Sequence, residues 1–144
     1  MQESHDKNMD KKEVELPDTV FIRDIETRVF QAICLQTIAQ IDGIGLLEGN
    51  LIDTLLGRDM ERIKGIYVTQ DQKQHSVDVR VEINIHYGIS IPEKAEEIQS
   101  KLAEQISLWT GVHVASVHVI FKNLVLPHME EKKEEAQFEL EETF

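Results

Sequence analysis

The clearest pattern in the chain is a strict alternation. Val77, Val79, Val81, Ile83 and Ile85 take turns with Asp78, Arg80, Glu82, Asn84 and His86. A period of two puts the first set on one face of a β-strand and the second on the other. One face is buried and one is wet, which is most natural in an antiparallel sheet. Upstream, Gly65 to Val68 begins a partner strand, and Asp71 to Gln74 reads as the turn between the two. Downstream of Gly88, Ser90 and Glu93 have capping-box spacing, and Pro92 sits where a missing N–H is harmless. Ala95, Ile98, Leu102, Ile106 and Trp109 then recur at helical steps, while Glu96, Glu97, Lys101 and Glu104 face water. Trp109 is expected in the core at the helix end, and Thr110-Gly111 closes the helix. Val112 and Val114 open a last strand, and Val117, Val119 and Phe121 finish it. The two sets are out of phase. A bulge at Ala115-Ser116 restores one buried face, and without it the strand is partly buried on both sides.

The first half reads similarly. Thr19 to Phe21 is expected as a short edge strand, and Asp24 as the cap of a helix. Val29, Phe30, Ile33, Cys34, Thr37, Ile38 and Ile41 follow at steps of three and four, with Arg28, Gln31, Gln36 and Gln40 largely off that face. Ala32, Leu35 and Ala39 widen the apolar surface. A helix apolar on more than one side needs more than one neighbour, and in a small domain the second can be another subunit. Asp42-Gly43 stops the helix, with Gly43 suited to a positive-φ cap, and Ile44 to Leu47 reads as a short strand. Between Glu48 and Lys64 the pattern is weak. Leu51, Ile52, Leu55 and Leu56 allow one or two helical turns before Gly57. Arg58, Arg62 and Lys64 alternate with Asp59 and Glu61 as a solvated mixed face.

These elements predict an α/β (α+β) two-layer sandwich. Two main helices cover one face of a small, mostly antiparallel sheet of three or four strands. Residues 17–126 form the domain, residues 1–16 a flexible N-terminal segment and residues 127–144 an acidic C-terminal tail. The tail carries seven acids and two bases, and its apolar residues Phe138, Leu140 and Phe144 are candidate partner anchors. A short helix over 130–142 is the other reading of that stretch. Tyr87, just beyond the alternating strand, is a further candidate anchor.

Composition narrows the function. The 144 residues carry a formal net charge of −12, which works against phosphate contacts, so nucleic acid is not an expected partner. Cys34 is the one cysteine, so no internal disulfide forms. Flanked by Ile33 and Leu35, it reads as a buried hydrophobe. Met1 to Glu15 has no apolar stretch and is not expected to be a signal peptide, and no segment approaches a membrane span. The expected location is the cytosol, without direct membrane insertion.

No catalytic or phosphate-binding motif emerges, and no cofactor is expected. Ser76, Ser90, Ser107 and Ser116 lack obvious His-Asp support. His113 and His118 share a face only if the strand is bulged, and a zinc site joining them to His86 is the minor reading against surface histidines.

The chain resembles the alkaline-shock, or Gls-type general-stress, proteins of bacterial envelopes. The resemblance rests on V-x-I-N-I-x-Y-G from Val81 to Gly88, I-x-x-K-A-x-x-I-Q through Gln99, and W-T-G-V-x-V-x-x-V-x-V from Trp109 to Val119. The first helix with Gly43-Ile44, and Lys64-Gly65-Ile66-Tyr67-Val68, also match, so that it covers roughly Val14 to Leu124. It implies a non-enzymatic cytosolic protein of envelope homeostasis or stress, with no catalytic or cofactor residues to carry over. It also implies self-association, or docking on a small membrane-anchored protein. His113, His118 and the acidic tail depart from the family pattern. The expected function is therefore structural or scaffolding. A small-molecule or metal-binding module is the alternative, and an RNA-binding module a more distant one, resting on fold analogy alone.

Overall fold

A computed structural model describes residues 14–47 and 64–128. Helix α1 spans Thr27–Ala39, strand β1 Ile44–Leu46, β2 Ile66–Asp71 and β3 Ser76–His86, followed by helix α2 at Ile91–Thr110 and strand β4 at His113–Val125. The stretch with Leu51 to Leu56, Arg58 and Arg62, the N-terminal residues before Val14, and the tail with Phe138, Leu140 and Phe144 lie outside the described residues.

The alternating strand is the centre of the sheet. The N–H groups of Glu82 and His86 donate to Gly65 O (2.7 Å) and Gly43 O (2.9 Å), whereas that of Tyr87 donates to Val125 O (2.9 Å). Even-numbered amides thus point to one edge and odd-numbered amides to the other. Strands β2 and β1 share the first edge end to end, β2 opposite Ser76 to Val81 and β1 opposite Ile83 to Ile85. Both pair antiparallel. Strand β4 takes the whole second edge and runs parallel to β3. The sheet is therefore mostly antiparallel, as expected, with one parallel pairing. A strand that returns through a helix arrives in the same direction as the one it left.

The alternation is realised in full. Val77, Val79, Val81, Ile83 and Ile85 are buried. Phe30, Cys34, Leu35, Ile38 and Ile41 from α1 and its end, and Ile98, Leu102 and Ile106 from α2, cover them together with Ile66. Each such side chain contributes about 1.5–3 kcal/mol by leaving water. In β4, Val77 faces Val114 while Asp78 faces Ser116, so Ala115 is the extra residue of the expected bulge. A second register shift leaves Lys122 extra between Phe121 and Asn123. The strand continues four residues past Phe121, the end read from the sequence.

Several local expectations are corrected. Thr19 to Phe21 pairs with no strand among the described residues, and Val20, Phe21 and Ile22 are 78–91 % exposed. Helix α1 begins after Glu26 rather than Asp24, and neither the Glu26 nor the Ser90 side chain accepts a capping hydrogen bond, so the spacing of Ser90 and Glu93 does not close into a capping box. Gln40 caps α1 in a right-handed conformation, and Gly43, with φ +85°, makes the turn beyond it into β1. Gly111 closes α2 in the left-handed conformation, as anticipated.

Trp109 is 71 % exposed, contrary to its expected place in the core. Buried positions on α2 advance by fours, from Ile98 through Leu102 and Ile106 to Thr110. Trp109 lies about 60° round the helix from Ile106 and about 100° from Thr110. Thr110 takes the buried place because its hydroxyl donates to Ile106 O and accepts the N–H of Val112.

Two substitutions test this packing by chemical denaturation. Leu102→Ala is expected to cost about 2–5 kcal/mol, as a truncation in a filled core. Gly65→Ala combines φ +96° with a Cβ that would stand 2.7 Å from Glu82 O, and should cost about 1–3 kcal/mol. A neutral result for either would contradict the packing described.

Candidate functional site

Helix α1 carries two apolar lines. Phe30, Cys34, Ile38 and Ile41 face the sheet and are buried. Val29, Ile33 and Thr37 form a second line beside it, at the same step of four. Trp109 and Gln105 of α2 stand opposite that second line. The result is a groove of about 760 Å³ between the helices, floored by Val29, Ala32 and Ile33 and walled by Trp109. Val29 remains 44 % exposed. Trp109 and Val29 are thus large apolar side chains left facing water, which a folded chain tolerates most readily where something else covers them.

The groove has little polar chemistry to offer. Thr37 donates its hydroxyl back to Ile33 O at 2.8 Å, and Trp109 Nε1 donates to Gln105 Oε1 at 3.1 Å. Among the described residues, Glu26 and Arg28 are its only charged lining residues. Such a surface suits an apolar side chain on a peptide better than a polar metabolite, which needs several convergent donors and acceptors.

The outer sheet face resolves differently. Its polar groups bond to one another. Ser116 donates to Asp78 at 2.6 Å, Asn123 to Asn84 at 3.0 Å, and the Arg80 guanidinium lies 4.4 Å from the Tyr67 ring centre. A face whose side chains satisfy each other across strands is a solvated face. On α2, Lys94 and then Lys101 donate to Glu97 (2.8 and 3.2 Å) and hold its carboxyl below the usual carboxylate range. A smaller cleft of about 230 Å³ lies at the hairpin end, lined by Arg23, Asp24, Asp71 and His75 among others. There the Asp71 carboxylate already accepts the N–H groups of Lys73 and Gln74 and so shapes the turn.

The bulge at Ala115 does bring His113 and His118 to the same, outer face. It does not bring them to His86. His113 pairs with Ser76 and His118 with Arg80, so His86 lies about 33 Å and about 20 Å further along β3 respectively. The zinc reading is corrected on that geometry. Among the described residues no three His, Cys, Asp or Glu side chains converge as metal ligands. Tyr87 is 65 % exposed, at the end of β3 far from Trp109, and is not part of the groove. The groove itself was only half legible in the sequence. The width of α1 signalled a second neighbour, but Trp109 was assigned to the interior.

The described residues thus form a two-layer α/β domain with a solvated sheet face and an apolar interhelical groove. Residues 15–126 match the model of the alkaline-shock protein 23 family, the Gls-type alkaline-shock domain, described as having a cell envelope-related function. The chain belongs to this family. Neither a curated protein nor a solved structure shows a match to it.

Cys34 is buried, and burial pushes its thiol up from an ordinary 9.0 to about 12. The native thiol should therefore resist a disulfide reagent at pH 8 and react only as the protein unfolds. The folded state holds this proton more tightly than the unfolded state. That contribution to stability is complete below about pH 9 and is lost as pH rises toward 12. Cys34→Ala should flatten this alkaline decline in denaturation midpoints, and an unchanged decline would assign it to other groups.

Proposed function

We propose that this protein is a non-catalytic scaffolding component of the bacterial cell envelope that works by self-association through the groove between α1 and α2. The observation that carries the reading is Trp109, a large aromatic side chain 71 % exposed on the wall of an apolar groove. Exposed aromatics beside a preformed apolar surface are what association hot spots are made of. The family's description as envelope-related supplies the setting. Among the described residues no helix is long and apolar enough to cross a membrane. On the family's envelope-related description we place the chain on the cytosolic side and assign its attachment to a small membrane-anchored protein. Tyr87, and Phe138, Leu140 and Phe144 of the tail, are offered as contacts for that second partner. A stress-related role follows from the same family membership.

Sedimentation of the full chain over micromolar concentrations tests the reading. Reversible association is expected, and a strict monomer would contradict it. Trp109→Gln should weaken association at least tenfold with little change in melting temperature, because an exposed side chain contributes little to folding but much to a contact.

A further inference from the structure

The chain exposes a second apolar feature that the association reading does not use. Leu16, Val20, Phe21 and Ile22 are 78–91 % exposed on a stretch with no regular structure. Four large apolar side chains within seven residues, all in water, form a segment built to be covered. It joins the domain at a fixed point. Gln70 Nε2 donates to Ile25 O at 2.9 Å and to Thr27 Oγ1 at 3.0 Å, tying the base of α1 to β2. Arg23 then lines the cleft at the hairpin end with Gln72, His75 and Gly111, and no residue from Leu16 to Ile22 lines the chain's own groove.

We propose that the occupant of the groove is the arm Leu16–Ile22 of a second copy of this chain, exchanged reciprocally in a two-fold dimer. This rests on the association reading and specifies its contact. Lengths agree. The groove follows α1 from Val29 to Gln40, about 17 Å at the helical rise, and the extended arm spans about 20 Å. Chemistry agrees. The groove offers apolar surface, and the arm offers Val20, Phe21 and Ile22 in sequence. Charge agrees as well. The chain as a whole carries −12, which opposes the approach of two copies, but the groove lining holds one acid and one base. Its base, Arg28, can meet Asp18 of the arm. Pro17 restricts the free arm and lowers the cost of ordering it. Reciprocal exchange uses both arms and both grooves and closes the assembly. Of the free strand edges among the described residues, the long outer edge of β4 is less suited to a second copy. Its two register shifts break the flat ladder that edge pairing needs.

Trp109 is the chain's one tryptophan and reports on the groove directly. Full-length chain is compared with an arm variant, Phe21→Asp with Ile22→Asp, and a groove variant, Val29→Asp, by sedimentation, tryptophan emission and melting temperature. The wild type should dimerise, with emission shifting to the blue as concentration rises. Each variant alone should dissociate about a hundredfold more readily, at unchanged melting temperature, because a buried contact is replaced by a charge. An equimolar mixture should recover dimers, since it supplies one intact arm and one intact groove. If the arm variant dimerises like the wild type with Trp109 equally shielded, the arm is not the occupant and association proceeds through another surface. A mixture that stays monomeric places the arm in its own groove or nowhere, and overturns the exchange. A wild-type chain that is monomeric at every concentration overturns both this proposal and the association reading.

Discussion

Everything in this fold hangs on one strand with three obligations. β3 must bury one face, and both of its edges must find hydrogen-bond partners. Val77 to Ile85 make the buried face, and the odd and even amides of the strand divide the edges between β4 on one side and β2 with β1 on the other. A strand so placed fixes what surrounds it. The helices can cover only the apolar face, so both lie in one layer, and the outer face is left to side chains that bond among themselves. A slip of one residue would exchange Val79 for Arg80 across the core, a cost that pins the register.

Putting both helices on one face has a further consequence. Two cylinders on a short sheet meet along a line and leave a furrow on the side away from the strands. α1 turns its first apolar line to the sheet and its second, Val29 and Ile33, to that furrow. Ile33 of that second line still packs against the core, whereas Val29 is left 44 % exposed. On the proposed reading that exposed part, with Trp109 facing it, links the packing to association. The same logic separates the outer sheet face, where Asp78, Arg80 and Asn84 are already engaged, from a surface still open to a partner.

Much of the architecture was legible because it is written in period. The alternation from Val77 to Ile85, the stripe of Ile98, Leu102 and Ile106, and the phase break at Ala115 each translate into geometry without further information. The parallel pairing of β4 is a property of the β3–α2–β4 connection rather than of any local pattern. The misses are local competitions. The stripe from Ala95 points to Trp109 at a step of three from Ile106, but the step of four gives the buried position to Thr110, whose hydroxyl can bond within the helix. Thr19 to Phe21 has the composition of a strand, but composition does not supply a neighbouring edge. Asp24 and Ser90 have the right chemistry for caps and the wrong geometry to use it. The groove was legible only as excess width on α1, because a site made of packing has no motif.

If the furrow between α1 and α2 joins this protein to others, its two walls must be shielded when copies associate. Hydrogen exchange read by mass spectrometry, on the full chain at low and at high concentration, detects that shielding. Concentration-dependent protection is expected in peptides covering residues 26–40 and 105–110, with the peptides of β3 unchanged. Protection confined to other segments, or none at any concentration, would contradict it.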